Sequence, residues 1–442
     1  MLQRFLIVLL VLALCACRRA EHAGDGRIIV KYWEKWTGFE ADAMRAVVDD
    51  FNASQDRIFV DFSSVSQIDR KLMLAISGGV PPDVAGIWGF NLPVYAGNNA
   101  LMPLDKFAAQ AGIQRDQYID VYWQMGCYRG HLWGLPTTPA STALVWNKKL
   151  FRAAGLDPDR PPRSIAELEE YNERLTKRRS DGRLAACGQL PSETGWHELW
   201  GIWFGGTLWD GTNTITANSP QNIAAFQWIE SYPKRFGSQD LLAFHEASGN
   251  FASPQNPFFT GRVAMILEGP WMYNYIKQYA PDDFEWGVGP FPSADPEHLK
   301  NVTVVEMDAL AIPAGARHPK EAFEFIRYVN SRKPMEKLCL GQLKFSPLRE
   351  CSQEFYQKHP DPNIREYVEL AKSPNAHFLP QLTTWNMYSN DMNQAFDRIW
   401  AGKASAREAL DEVQRHEQPV FDGSERKWNR FSAKLMAEWS NQ

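Results

Sequence analysis

Two hydrophobic periods alternate along the N-terminal third of the chain. Apolar residues concentrate in short runs at 28–33, 58–62 and 84–88, which predict strands. Between these runs, apolar residues recur at helical spacing over 39–51 and 68–76, which predicts two helices. Strands that alternate with crossover helices form a mostly parallel sheet with both faces covered. The pattern therefore predicts an α/β fold.

The carboxyl ends of these strands are followed by aromatic and amide side chains. Trp36 follows the first strand, and Trp88, Phe90 and Asn91 end or follow the third. In open α/β sheets, ligands bind outside the carboxyl ends of the strands. We therefore expect these side chains along one rim of the sheet.

Residues 258–275 predict a strand, a sharp turn and the start of a helix in close succession. Apolar residues at 263–267 predict a buried strand, which ends at Glu268. Pro270 suits the first turn of a helix because it has no amide hydrogen to leave unpaired. Two interpretations remain open: the segment is a wall of a binding cleft, or it is an ordinary turn with Trp271 packed in the core. The local pattern alone favours the ordinary turn.

The densest aromatic passage lies at 196–209. Trp196, Trp200 and Trp203 lie three and four positions apart, so a helix that buries them accounts for most of the passage. The chain contains 17 Trp, 25 Phe and 14 Tyr, which exceeds what packing usually requires. Aromatic planes also stack on the apolar C–H faces of sugar rings. We expect one of these tryptophans, rather than all of them, to face a ligand.

The remaining pattern continues the alternation of strands and helices. Ser164, with Glu167 three residues later, is typical of a capping box at a helix start. Residues 309–313 predict a strand, and 319–329 predict an amphipathic helix. Arg349 lies in a loop, where it would either fix a ligand group or form an ordinary surface salt bridge.

The N-terminus has the features of a cleavable leader. In residues 1–16, Arg4 precedes an apolar run that is too short to remain in a bilayer. Residues 14–17, Leu-Cys-Ala-Cys, resemble a bacterial lipobox, which implies lipidation of Cys17 after cleavage. Residues 17–26 would then tether a soluble body to a lipid anchor. Plain secretion with an incidental Cys17 is the alternative.

Charge and cysteine content narrow the classes of function. The formal net charge is −5 with acidic and basic residues well mixed, so no nucleic-acid partner is expected. The sequence has no spacing typical of a zinc or redox site, and we expect neither a metal nor a cofactor. Cys339 and Cys351 bracket a short loop and are candidates for a disulfide, as are Cys127 and Cys187, although buried free thiols fit equally well.

Several short landmarks occur in a fixed order along the chain. Besides the lipobox, they are Trp36-Thr37-Gly38, Pro82-Asp83-Val84 with Trp88, Gly134-Leu135-Pro136 before Leu144-Val145-Trp146-Asn147, Gly269-Pro270-Trp271, and Leu310-Ala311-Ile312-Pro313 before Glu321-Ala322. In this order they resemble the extracellular solute-binding proteins of bacterial ABC transporters, specifically the carbohydrate-binding family that includes maltose-binding protein. The resemblance spans nearly the whole mature chain.

The resemblance implies a two-lobed α/β fold of the periplasmic-binding-protein type II class, in which each lobe is a sheet flanked by helices. It places residues 27–137 with 263–307 in the first lobe, and residues 138–262 with 308–442 in the second. The hinge would be crossed three times, near 136–139, 261–263 and 308–309.

The resemblance also implies a ligand held between the lobes. The residues that it indicates in the first lobe are Trp36, Glu40, Trp88, Asn91, Glu268 and Trp271. In the second lobe they are Ser141, Trp200, Glu306, Arg349 and Trp385. Tryptophans would stack on a sugar, while charged and amide groups would orient its hydroxyls. Ala140 and Glu306-Met307 depart from positions common in the family, so the sugar itself stays open.

The implied function is that of a lipid-anchored monomer at the periplasmic or extracytoplasmic face. It would capture a carbohydrate, either a sugar or an oligosaccharide, and deliver it to ABC permease subunits in the membrane, without enzymatic activity. A secreted glycoside hydrolase is one alternative, because Trp-rich clefts with paired carboxylates also suit that chemistry, although no catalytic motif is present. The same fold with a polyamine, peptide or phosphate ester as ligand is another, although the candidate residues include no basic cluster for phosphate.

Overall fold

A computed structural model describes residues 26–193, 195–249 and 252–441 of the chain. The leader and Cys17 therefore lie outside the described residues. Within the described part, no helix combines the length and the apolar character needed to cross a bilayer.

The strands form two main sheets and two short hairpins. In chain order they are β1 Ile28–Glu34, β2 Ile58–Ser64, β3 Val84–Trp88, β4 Cys127–Tyr128, β5 His131–Leu132, β6 Gly134–Ser141, β7 Ala143–Asn147, β8 Lys177–Arg178, β9 Leu184–Ala186, β10 Met265–Glu268, β11 Trp286–Gly289, β12 Thr303–Ala311 and β13 Ala376–His377. The helices flank these sheets: Gly38–Ser54, Ile68–Ser77, Leu92–Gly97, Asp105–Gln110, Asp120–Gly126, Lys148–Ala153, Ile165–Leu175, Pro220–Phe236, Ser238–Glu246, Met272–Tyr279, Pro319–Val329, Arg332–Gly341, Gln353–Lys358, Ile364–Ala371, Trp385–Trp400 and Ala406–Asn441.

The first sheet is built on the predicted parallel strands. β1 lies between β2 and β3 and runs parallel to both. Along β1, Val30 and Tyr32 are buried while Lys31 is exposed, as the alternation of a strand with one covered core face requires. The β-α-β-α-β prediction for the N-terminal third is confirmed.

Two long antiparallel strands complete this sheet. β12 pairs with β3 through 308–311 and, on its other side, with β6 over most of its length. The start of β12 pairs with β13. Only Thr142 separates β6 from β7, so the chain passes directly from the first sheet into the second.

The second sheet has β7 in its centre, antiparallel to β10 on one side and to β11 on the other. Residues 265–268 therefore pair outside the first sheet, where 263–307 were expected, and 308–311 pair inside it with β3. The sheet pairings of these two strands therefore differ from the expected division into lobes. Hydrophobic pattern predicts that a strand exists, but its partner is set by contacts far away in sequence.

The helix Pro319–Val329 follows β12 back to the first sheet. Its Ala322 and Ile326 lie in the same buried cluster as Val30 and Tyr32 of β1. The last passage of the chain to the second sheet thus lies beyond this helix, whereas the third crossing was expected near 308–309.

A second buried cluster surrounds the aromatic passage. Residues His197–Phe204 form a 3-10 helix, and its Trp200 and Trp203 are fully buried against Phe291. Ser164 caps the helix Ile165–Leu175, with its side-chain oxygen 3.1 Å from the Glu167 amide nitrogen.

The four cysteines in the described chain are free thiols: Cys127, Cys187, Cys339 and Cys351. The disulfide considered between Cys339 and Cys351 is absent, as is one between the other two. Cys187 and Cys339 are buried, and burial raises the pKa of both thiols.

Candidate functional site

A buried aspartate on β12 is the centre of a polar cluster at the carboxyl ends of β1 and β3. Asp308 lies opposite Trp88 in the sheet register. Its carboxylate accepts hydrogen bonds from the Trp36 indole nitrogen at 2.7 Å and from the Thr138 hydroxyl at 2.7 Å. The ammonium group of Lys35 lies 2.8 Å away. Asp308 therefore joins the loop after β1 to β6 and β12, the two strands through which the chain passes between the sheets.

Two buried lysines determine the charge of Asp308. Burial alone would raise the pKa of this carboxyl, but Lys35 and Lys344 outweigh it and lower the pKa to about 2. Lys344 lies 3.4 Å from Asp308 and 3.1 Å from Glu40, and its ammonium group lies 4.5 Å from the centre of the Trp36 ring. Burial raises the pKa of Glu40, although Lys344 opposes this shift. Both lysines are thus neutralised by carboxylates within the cluster.

Aromatic rings line the side of the cluster that belongs to the first sheet. Trp36 and Trp88 meet edge to face at 6.1 Å, and Trp88 stacks on Phe90 at 6.2 Å. Trp88 and Phe90 also line a cavity of about 620 Å³. Asn91 and Asn386, the latter on the helix Trp385–Trp400, lie in the wall of the same cavity.

Polar groups at this cavity are held in place by neighbours. Asp69 accepts hydrogen bonds from the Asn91 amide at 3.0 Å and the Tyr95 hydroxyl at 2.8 Å. A carboxylate with two fixed donors retains unused lone pairs that can accept a ligand hydroxyl.

The opposite side consists of Trp196, Trp271 and Glu268 around Glu306. The rings of Trp196 and Trp271 lie 5.7 Å apart. Trp196 donates its indole hydrogen to Glu306 at 3.3 Å, and Trp271 donates to Glu268 at 3.0 Å. Burial raises the pKa of both carboxyls, to about 8 for Glu268. A protonated Glu268 can both donate to and accept from a ligand hydroxyl.

Glu306 and Asp308 connect the two sides, because they lie two positions apart on β12. The polar cluster around Asp308 and the tryptophan pair beside Glu306 are therefore neighbours in the fold.

Seven of the predicted site residues belong to these two groups or to the cavity beside them. They are Trp36, Glu40, Trp88, Asn91, Glu268, Trp271 and Glu306. The structure places the other four elsewhere. Ser141 is fully buried and donates to the Tyr367 carbonyl at 2.7 Å, and Arg349 is exposed and donates to the Asp116 carbonyl at 3.1 Å.

Trp200 and Trp385 are core residues. Trp200 is fully buried among Trp203, Trp228 and Phe291, so its ring has no face available for a ligand. Trp385 is 2% exposed and packs edge to face on Tyr388. Within the aromatic passage, Trp196 is the tryptophan that lies beside Glu306 and Trp271.

The polar centre of the site was missed by sequence reasoning. Lys35, Asp308 and Lys344 have no motif that predicts their burial, since charged residues are rarely buried unless paired. Glu34-Lys35 directly before Trp36-Thr37-Gly38 was a usable signal, because charges at the carboxyl end of a buried strand lie at the ligand rim.

Known proteins resemble this chain over most of its length. The sn-glycerol-3-phosphate-binding periplasmic protein UgpB of Pectobacterium atrosepticum is 24% identical over 410 residues, which cover 86% of this chain and 88% of that protein. UgpB of Escherichia coli K12 is 24% identical over 412 residues, with 86% and 90% covered. The structure of CpMnBP1 with mannobiose bound matches with a TM-score of 0.76 at 26% identity, and covers 88% of this chain and 98% of CpMnBP1.

The sugar-binding protein MalE from Xanthomonas citri matches with a TM-score of 0.76 at 20% identity, over 90% of this chain and 98% of MalE. These neighbours confirm the predicted type II periplasmic-binding fold. The family that matches consists of extracytoplasmic binding proteins of ABC transporters, which are not enzymes. Because residues 40–336 match the bacterial extracellular solute-binding proteins, the chain belongs to that family.

Proposed function

We propose that this protein captures a neutral carbohydrate between two lobes and delivers it to the permease of an ABC importer. The observation that carries the proposal is the presence of two tryptophan pairs, Trp36 with Trp88 and Trp196 with Trp271, each of which donates an indole hydrogen bond to a buried carboxylate. Aromatic faces suit the C–H faces of sugar rings, and the carboxylates between them suit sugar hydroxyls.

The charge balance of the site favours an uncharged ligand over a phosphate ester. UgpB is an sn-glycerol-3-phosphate-binding protein, whereas CpMnBP1 holds mannobiose. Lys35 and Lys344 are the buried cations of this site, and each lies against Asp308. With Glu40 also on Lys344, neither ammonium group has a charge left to offset a phosphate dianion.

The two lobes of the proposal follow the sheet pairings. One lobe is built on β1, β2 and β3 with the helix Pro319–Val329, and the other on β7, β10 and β11 with the helices Trp385–Trp400 and Ala406–Asn441. β6 and β12 pass between them as the hinge strands. A ligand that touches both lobes binds the closed arrangement better, and so shifts the population toward it.

The proposal includes an anchor and a partner. Cleavage before Cys17 and its lipidation would hold the body at the extracytoplasmic face through the tether 17–26, as a monomer. The permease would then recognise the closed form.

A thermal-shift panel tests the proposal. Purified protein is heated with mannobiose, mannotriose, maltose or sn-glycerol-3-phosphate. We expect a saturable rise in Tm with at least one neutral saccharide, and none with the phosphate ester at the same concentration. Stabilisation by the phosphate ester alone would overturn the carbohydrate assignment, and catalytic release of reducing ends from the saccharides would overturn the transport assignment.

A further inference from the structure

Three side chains that can bind metals converge away from the cleft, between the last two helices. Asp391 lies on the helix Trp385–Trp400, whereas His416 and Glu417 lie on Ala406–Asn441. One potential ligand atom from each lies within 4.8 Å of the others. Among the residues that the structure describes, this is the one such group of three or more.

Glu417 is a buried carboxyl group without a hydrogen-bond donor. The residue is fully buried, and neither of its carboxyl oxygens has a hydrogen-bond partner. The nearby Tyr388 cannot supply one, because its hydroxyl donates to the Leu208 carbonyl at 2.9 Å. A buried carboxyl group in this condition requires a cation or a proton. The ring of His416 lies beside it, with Nδ1 3.3 Å from Oε1.

One spacing in this group already suits a small divalent cation. Zinc binds imidazole nitrogen and carboxylate oxygen at about 2.0–2.2 Å, so two donors on a tetrahedral ion lie about 3.3–3.5 Å apart. The distance of 3.3 Å between His416 and Glu417 fits that edge. The Asp391 carboxylate is in direct contact with His416 Nδ1, so it has to move outward to admit the ion between them. Two carboxylates and a neutral imidazole also carry the charge that balances a dication.

A route from solvent reaches the cluster. Asp391 and His416 line an open cavity of about 500 Å³. His416 is 58% exposed, whereas the adjacent Glu417 is fully buried. Arg398 lines the same cavity, but its guanidinium is paired with Glu412 at 2.5 Å. The cavity therefore offers a path for a hydrated ion and room for a water or another ligand in a fourth position.

We propose that Asp391, His416 and Glu417 form a binding site for a divalent transition-metal cation such as Zn²⁺. A borderline donor set of one nitrogen and two oxygens favours such ions over Ca²⁺ or Mg²⁺, which prefer oxygen alone. The bound ion ties the C-terminal helix to Trp385–Trp400 and stabilises the native state by mass action.

The test uses full-length protein stripped of metal with EDTA and titrated with ZnCl₂ in a calorimeter, with Tm measured in parallel. We expect one saturable site and a zinc-dependent rise in Tm. Glu417→Gln keeps the shape of the side chain but removes its charge, and His416→Gln changes an exposed residue that the fold does not need. Each should weaken zinc binding at least about tenfold. Cobalt(II) should give a visible absorption band with the wild type, but not with Glu417→Gln or His416→Gln.

The matched control is His298→Gln. His298 also pairs with a carboxylate, Asp295 at 2.9 Å, but this pair is exposed and has no buried third ligand. This variant should bind zinc as the wild type does. A wild type without a zinc-dependent Tm, or Glu417→Gln and His416→Gln variants that bind zinc as tightly as the wild type, would overturn the proposal. If Glu417→Gln raises the Tm of the metal-free protein and the wild type ignores zinc, then a proton shared by Asp391 and Glu417 occupies the place assigned to the metal.

Discussion

The indole nitrogen of Trp36 donates a hydrogen bond of 2.7 Å to Asp308, across 272 positions of sequence. This bond joins the loop after β1 to β12, the strand by which the chain returns from the second sheet to the first. The same carboxylate holds Lys35 and Lys344, so one side chain positions an aromatic ring and neutralises two buried cations.

Replacing Asp308 should therefore damage stability and binding together. In Asp308→Asn, two buried ammonium groups lose their shared anion, and we expect the free energy of unfolding to fall by about 3 kcal/mol or more. Urea denaturation measures this loss. Asp42→Asn, on the exposed face of the helix Gly38–Ser54, is the matched control and should change stability little. Equal stability of the two variants would show that the lysines do not depend on Asp308.

Trp271 and Trp200 should separate binding from packing. Trp271 is half-buried beside Trp196, whereas Trp200 is fully buried in the core. For Trp271→Ala we expect about a fivefold to tenfold loss of affinity for the stabilising saccharide, with the apo Tm nearly unchanged. For Trp200→Ala we expect about 3–5 kcal/mol of lost stability, because it leaves a large cavity.

Titration calorimetry and thermal melts of both variants check this pair. A large drop in apo Tm for Trp271→Ala, with unchanged affinity, would restore the ordinary-turn interpretation of this segment. That interpretation was favoured by the local sequence pattern alone.

The pH dependence of stability should contain a contribution from Glu268. Burial raises the pKa of this carboxyl from its ordinary value of 4.5 to about 8 in the folded protein. Between these values the folded state keeps a proton that the unfolded state has lost, so stability falls as pH rises. The slope due to this one group should approach about 1.4 kcal/mol per pH unit inside the window.

Urea denaturation of the wild type and of Glu268→Gln between pH 5.5 and 8 isolates this contribution. The neutral amide has no proton to lose. The wild type should therefore lose stability relative to Glu268→Gln as pH rises. Parallel pH profiles would mean that Glu268 stays ionised in the folded protein.

Gly86 should be required to make room for the buried side chain of Glu34, at the end of β1. A Cβ atom at this position would overlap the carboxylate of Glu34, which is 2% exposed and accepts the Lys35 backbone N–H at 2.8 Å. Gly86→Ala should cost about 2 kcal/mol of stability and weaken saccharide binding, because Lys35 and Trp36 follow Glu34 directly.

Gly195→Ala is the control for this substitution. An added Cβ at Gly195 meets no neighbouring atom within 4 Å, and the residue is exposed. Thermal melts should therefore show a lower Tm for Gly86→Ala alone. Equal melting temperatures would mean that the Glu34 carboxylate can move aside without loss.

The local sequence pattern predicted which elements form, but not how distant strands pair. The parallel β1, β2 and β3 and the helix Pro319–Val329 follow from their hydrophobic periods, which are local properties. β10 reads equally well as a strand of either sheet, and only its pairing with β7 decides the matter. This is why the pairings of β10 and β12 differ from the division expected from the sequence.

The sequence by itself determined the fold class, because strand ends and the order of motifs are written along the chain, whereas the ligand-binding roles of the candidate residues stay predictions. The tertiary structure decided which tryptophan of the aromatic passage lies beside Glu306 and Trp271, and this residue is Trp196 rather than Trp200. It also created the buried network of Lys35, Asp308 and Lys344. A charged residue is buried only where its partner is, and the partners here come from three distant segments that meet only in the folded chain.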